Sequence, residues 1–262
     1  MSDSVLQLST AGGIAQVRLS RPDVRNAFNA EVIAELQRAF EQLGADAGVR
    51  AIVLSGEGKA FCGGADINWM RGSLELSREE NVADARRMSE MFRMIDRCPK
   101  PVIARVHGAA LGGGAGLIAV CDVAIASEET IFGFTETKLG ILPAVISPFV
   151  LAKIGQSHAR ALFLTGERFD AKRAAAIGLV HEVVAPSDID LAVHRVLEEI
   201  KTASPSAIAV AKQIIPTVSA ATYDETLHIT SQAIAQQRTS AEGQEGLRAF
   251  LERRKAAWIA QE

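Results

Sequence analysis

The chain has 262 residues, 48% of them hydrophobic and 23% charged, which supplies one sizeable core, or one core with a small appendage, and excludes a disordered chain. Its formal net charge of -3 provides no broad basic field, so neither nucleic acid nor an anionic membrane is an expected partner. Cys62, Cys98 and Cys121 form no CxxC pair and read as free thiols of a reducing compartment. Residues 1–10 carry no export or organelle pattern and no apolar stretch is long enough to span a bilayer, so a cytoplasmic location is expected.

In chain order, Val5 to Thr10 and Ile14 to Leu19 predict two strands joined at Gly12-Gly13, a hairpin signal because glycine accepts the positive φ of a tight turn. Asn29 is placed to cap a helix with the apolar face Ile33, Leu36, Phe40 and Leu43, ending near Gly44. Ala51 to Leu54, Val102 to Val106 and Val123 to Ala126 are continuous apolar runs of the kind buried on both faces of a parallel sheet. This alternation predicts an α/β fold up to about Gly140. Beyond Pro148 the pattern turns helical, in segments around Leu162 to Leu164, Ala171 to Ile177, Leu191 to Ile200, Ala207 to Ile215, Leu227 to Gln236 and Leu247 to Ile259, with Gly178 a C-terminal stop. A division into a core of residues 1–200 and a helical oligomerisation region of residues 201–262 is expected.

Two glycine-rich segments carry the first chemical signal. Lys59 to Ile67 includes Gly63-Gly64-Ala65, and Gly108 to Gly116 includes Gly112-Gly113-Gly114; each follows a predicted strand and opens a helix. A helix start exposes unpaired N–H groups at its positive end, and glycine lets a ligand approach them. If both turns converge on one carbonyl oxygen they can stabilise an oxyanion, worth about 2.7 to 4 kcal/mol per donor in comparable sites. For either turn alone, tight packing is an equal explanation. Gly114, Gly116 and Ala119 also match GxGxxA, but the following helix is too short for a dinucleotide-binding unit.

The second signal is Glu136. In Ile131 to Thr137, alternation puts Phe132, Phe134 and Glu136 on one side of an extended segment, where aromatic neighbours would desolvate the carboxylate and raise its pKa toward neutrality. Such a group can both take and give a proton. A solvated or helix-capping glutamate is the alternative. The five histidines show no metal-ligand spacing, and His107 is expected to have a hydrogen-bonded structural role. Cys62 has no histidine or acid beside it in sequence and reads as packing rather than nucleophile.

These residues, together with Arg25-Asn26-Ala27-Phe28-Asn29, Ala60 to Ile67, His107-Gly108, Thr135 to Gly140 and Leu164 to Phe169, resemble the enoyl-CoA hydratase/isomerase (crotonase) family over nearly the whole chain. The resemblance implies a crotonase-like spiral of ββα units with a helical C-terminal region, trimers paired into hexamers, and an acyl-CoA thioester as substrate with no cofactor beyond its coenzyme A. It implies that Ala65 and Gly113 donate the oxyanion N–H groups and that Glu136 is the acid/base. Arg25, Ala27, Ala65, Asp66 and Ile67 fall in the part that receives coenzyme A, and Phe250 and Lys255 at positions that reach a neighbour's coenzyme A. The sequence departs from the family's hydratases at Gly116, which stands where the first of two catalytic glutamates is expected.

The expected activity is hydration of an α,β-unsaturated acyl-CoA by Glu136 acting through one water, with a Δ3,Δ2-enoyl-CoA isomerase as the alternative and an acyl-CoA or RNA binding protein as an alternative of another class. Asp66 to Met70 and Ile141 to Pro148 resemble the branch that hydrates 3-methylglutaconyl-CoA, in leucine or acyclic-isoprenoid breakdown. On that expectation Gly116 leaves space for a branched acyl group, and Lys138, Arg71 or Arg78 holds its distal carboxylate. Apolar residues of the tail, Leu247, Phe250, Trp258 and Ile259, are expected to be covered by another subunit.

Overall fold

The computed structural model describes residues 4–259. The first elements are β1 (Leu6–Ala11), β2 (Ile14–Leu19), α1 (Ala30–Ala45) and β3 (Ala51–Gly56), followed by α2 (Ile67–Ser73) and α3 (Arg78–Asp96). Next come β4 (Val102–Val106), β5 (Ala109–Leu111), α4 (Gly113–Ala119), β6 (Val123–Ser127), β7 (Ile131–Gly133) and α5 (Ser147–Thr165). The chain finishes with β8 (Arg168–Asp170), α6 (Ala171–Ala176), β9 (Glu182–Val184), α7 (Ile189–Thr202), α8 (Pro205–Ala220), α9 (Tyr223–Thr239) and α10 (Ala241–Leu251).

The main sheet has the order β1-β2-β3-β4-β6-β9, antiparallel only between β1 and β2. That pair turns through Gly12 (φ 55°) and Gly13 (φ 77°), the two positive-φ residues its twist requires. Because side chains alternate along a strand, β3 feeds two cores. Ile52 and Leu54 join Leu36, Phe40, Met91 and Phe92 of α1 and α3, while Ala51 and Val53 join Ala192, Val193 and Leu197 of α7. A smaller sheet of order β5-β7-β8 lies beside the first. Long strands β4 and β6 pair in parallel, and so do the short strands β5 and β7 that follow them. The units β4-β5-α4 and β6-β7-α5 therefore stack as successive turns of a spiral.

Asn29 caps α1 as expected, its side chain accepting from Val32 N at 2.9 Å, and Gly178 (φ 81°) stands just past the end of α6. Three features differ from the sequence expectation. Helix α3 is 19 residues long and lies outside the sequence expectation, because its apolar contacts with the core, Met88, Met91, Phe92, Met94 and Ile95, are confined to its second half and the rest of it is strongly polar. Strand β5 divides the Gly108 to Gly116 segment, expected as one glycine turn. The last helix ends at Leu251 rather than Ile259, since Arg253 turns left-handed (φ 55°).

Helices α8 and α9 bury no residue completely, yet the tail is tied to the core by polar bonds. Arg50 donates to the carbonyls of Ala203 (2.8 Å) and Trp258 (3.0 Å), and Lys212 pairs with Asp122 at 2.7 Å. Residue 200 lies in the last turn of α7. Among the described residues no helix is long and apolar enough to cross a membrane.

Candidate active site

The first glycine segment is held by the loop before α1. Arg25 and Asn26 both adopt left-handed backbone (φ 55° and 56°), which lets the buried Asn26 amide donate to the carbonyls of Glu57 (2.8 Å) and Ala60 (2.7 Å). Three backbone bonds then lay the two stretches side by side: Gly63 N to Arg25 O (2.7 Å), Phe28 N to Gly64 O (2.7 Å) and Asp66 N to Phe28 O (2.8 Å). Asp66 caps α2 through Asn68 N (2.8 Å) and pairs with Arg21 at 2.8 Å.

The second segment docks against the first. Cys62 N donates to Ala109 O (3.1 Å) and Leu111 N to Cys62 O (3.0 Å), a parallel bridge that places Gly64 and Gly113 on adjoining walls of one cavity. A Cβ on Gly64, whose φ is 98°, would lie 3.0 Å from Leu111 O, so this approach is open only to glycine. Neither Ala65 N–H nor Gly113 N–H donates a hydrogen bond among the described residues, and both residues line the cavity. Both turns thus border one cavity with an unbonded N–H each.

Glu136 lines the same cavity, but not from a strand. β7 ends at Gly133, the chain bends at Thr135 (φ -93°, ψ 5°), and Glu136 begins a short 3-10 turn through Leu139. Phe132 and Phe134 instead pack inside the small sheet against Phe169 and Phe163. The carboxylate rests on the second turn: a Cβ on Gly112 would be 3.0 Å from its Oε1 and 3.8 Å from Oε2. Oε2 is buried without a hydrogen-bond partner. Burial holds the Glu136 carboxyl above the usual glutamate range, opposed only by its own N–H. The expected direction is thus present through burial against the turn and the aliphatic cavity wall, not through Phe132 and Phe134.

The cavity has a volume of about 220 Å³ and is walled mainly by Trp69, Met70, Met88, Leu142, Val145 and Ile146. Met88 was missed because α3 was missed, although Ser77 and Glu80 form a capping box there that the sequence spells as S-x-x-E. Ile146 overturns a second expectation. A Cβ on Gly116 would overlap Cγ2 of Ile146, so the space beside Gly116 is filled rather than left for a branched substrate.

Of the other residues singled out, Arg25 and Ala27 lie in the loop stitched to the first turn, and Ile67 is 71% exposed at the start of α2. The Asp66 side chain is already engaged by Arg21 and its cap bonds. Phe250 and Lys255 are exposed on the tail and do not line the cavity; nor do Lys138, Arg71 or Arg78. Trp258 does not await a partner surface, since its indole N–H donates to Thr202 O (2.9 Å) and its ring packs on Gly246. Burial pushes the Cys62 thiol up to about 12, against an opposing bond from Gly64 N–H, which suits packing and not nucleophilic attack. His107 bonds the Gly58 carbonyl at 2.9 Å, the structural role expected of it.

The profile of the enoyl-CoA hydratase/isomerase family matches residues 9–261. A short-chain-enoyl-CoA hydratase from Clostridium acetobutylicum is 32% identical over 254 residues, 95% of each chain. Among solved structures, an enoyl-CoA hydratase from Shewanella pealeana is 40% identical with a TM-score of 0.94, over 97% of this chain and 96% of the other. An enoyl-CoA hydratase/isomerase from Marinobacter aquaeolei is 35% identical with a TM-score of 0.93, over 98% and 99%. Spiral, paired glycine turns and sequence agree: the chain belongs to the enoyl-CoA hydratase/isomerase family.

Proposed function

We propose that the protein hydrates a short, uncharged 2-enoyl-CoA. The observation that carries this is the position of Glu136, a desolvated carboxylate with an unpartnered oxygen, against the same turn whose Gly113 lines the cavity with its N–H unbonded. The N–H groups of Ala65 and Gly113 hold the thioester oxygen, which draws electrons from the β-carbon. Glu136 takes a proton from water as the hydroxide adds to that carbon, and the resulting enolate is held by the two donors. The same carboxyl group then returns its proton to the α-carbon. One group can perform both transfers when water adds to a single face.

A second reading is favoured by the wall at Ile146. With no second carboxylate lining the cavity among the described residues to orient water, Glu136 would instead carry a proton from the α- to the γ-carbon of a 3-enoyl-CoA, an isomerisation. Incubation with 2-enoyl- and 3-enoyl-CoA in heavy-oxygen water separates the two. Label in a 3-hydroxyacyl-CoA product supports hydration; an unlabelled 2-enoyl-CoA as the sole product supports isomerisation; no product from either ester defeats both.

The acyl group we infer is short because the cavity, at about 220 Å³, is smaller than the roughly 300 to 1,000 Å³ of pockets for drug-sized ligands. It is uncharged because no Lys, Arg or His lines the cavity among the described residues, so a distal carboxylate would be desolvated without a partner. This turns the expectation of a 3-methylglutaconyl ester toward a plain one, and kcat/KM for crotonyl-CoA against 3-methylglutaconyl-CoA decides between them. An oligomer remains part of the proposal: Phe250 is 81% and Leu251 78% exposed, an apolar end of α10 that a neighbouring copy would cover.

A further inference from the structure

Gly116 and Ile146 come from different turns of the spiral and meet behind the cavity wall, which Ile146 lines and Gly116 does not. Every residue of α4 is buried, and a Cβ on Gly116 would overlap Ile146 Cγ2, with Ile146 Cβ at 3.0 Å and Phe92 Cζ at 3.2 Å. Neither neighbour has room to withdraw. Ile146 is 2% exposed, and its carbonyl accepts from Phe149 N (3.2 Å) and Val150 N (3.0 Å), which fixes its backbone at the start of α5. Its branched side chain is stiff about χ1. Phe92 is packed between Phe28 and Phe149, with ring centroids 6.1 and 6.0 Å away.

We propose that Ile146 is the residue that determines acyl-chain specificity, sealing the cavity over Gly116 with a fixed aliphatic wall. The wall sets the depth of the pocket and confines it to short, apolar acyl chains; any side chain at position 116 is excluded while Ile146 stands there. The inference rests on the acyl-CoA reading of the site.

Measure kcat/KM of the wild type and of Ile146→Ala on 2-enoyl-CoA esters of four and eight carbons. Removing three carbons from the wall should raise the eight-to-four ratio by at least about tenfold, since one methylene in an apolar pocket is commonly worth 10- to 200-fold. An unchanged ratio in an active variant overturns the inference alone. A wild type that turns over no enoyl-CoA of any length is instead the failure of the acyl-CoA reading, and the specificity role falls with it. A second measurement needs no turnover: compare the melting temperature of Gly116→Ala with that of the same change made in Ile146→Ala. The alanine should lower melting in the wild type and cause no further loss once Ile146 is gone; additive losses would show that Ile146 does not fill the space at position 116 and would overturn the proposal.

Discussion

The two glycine turns border one cavity but are held there by different forces. The first is fixed by polar bonds: Asp66 caps α2, Arg21 grips Asp66 and the Ala27 carbonyl, and Asn26 ties the approach loop. Its helix buries no residue. The second has no side-chain cap at all, yet all seven residues of α4 are buried, and Gly114 lies so close to Cys62 that a Cβ would overlap the Cys62 carbonyl oxygen. A site built this way fails in two manners, by loss of a bond on one side and by excess volume on the other.

The largest effect is expected at Glu136, which rests against the second turn. Glu136→Gln keeps the shape of the wall and removes the proton carrier, so turnover should fall by about 10²- to 10⁴-fold while affinity for an unreactive acyl-CoA stays within a few fold. Retained turnover would move the chemistry to another residue. Gly114→Ala tests the packing: overfilling of this order costs about 1 to 3 kcal/mol, so melting should fall and turnover with it. A normal melting temperature would mean that the turns can separate freely.

Asp66→Ala tests the polar side and should cost less, about 0.5 to 2 kcal/mol for a lost cap. Burial by itself raises the Asp66 carboxyl, but bonds from Arg21 and the Asn68 and Trp69 N–H groups outweigh it and hold the group below the usual aspartate range. With the folded value depressed, its stabilisation is complete above the unfolded value of about 3.9 and is lost as pH falls through the folded one. The melting difference between wild type and Asp66→Ala should therefore be constant at neutral pH and shrink only in strong acid. A difference that shrinks between pH 5 and 7 would show that Asp66 is not paired as described.

These local devices differ in how far they could be read from the sequence. The cap at Asn29, the hairpin at Gly12-Gly13 and the buried run Ala51 to Leu54 are written in neighbouring residues, and each was legible. The glycine turns were legible as segments, though not their mutual docking, which depends on the Cys62 to Ala110 bridge between distant stretches. The small sheet was hidden for the same reason: its strands are three residues long and owe their existence to each other. Glu136 was found for its proximity to phenylalanines, and the direction of its shift was right for a different cause. The filling of Gly116 by Ile146 has no local trace, because an empty position in sequence looks identical to one occupied from elsewhere.

The smallest predicted effect separates the stability of Glu136 from its activity. Its folded pKa is raised by burial above the ordinary glutamate value of about 4.3, so the folded state holds the proton more tightly than the unfolded chain. Stability from this group is then full below the unfolded value and is lost as pH rises through the folded value, levelling off above it. Glutamine resembles the protonated acid and carries no such dependence. Wild type and Glu136→Gln should melt together near pH 4 and diverge as pH rises, with the glutamine variant the more stable at neutrality, as expected when a carboxylate oxygen is buried without a partner. Because Asp66 and every other titrating group are common to both proteins, their contributions cancel in the difference. Melting both from pH 4 to 8 measures it. A gap of the opposite sign at neutrality would mean that the carboxylate is stabilised by bonds to the second turn, and the two turns would then share the polar mode of support assigned here to the first alone.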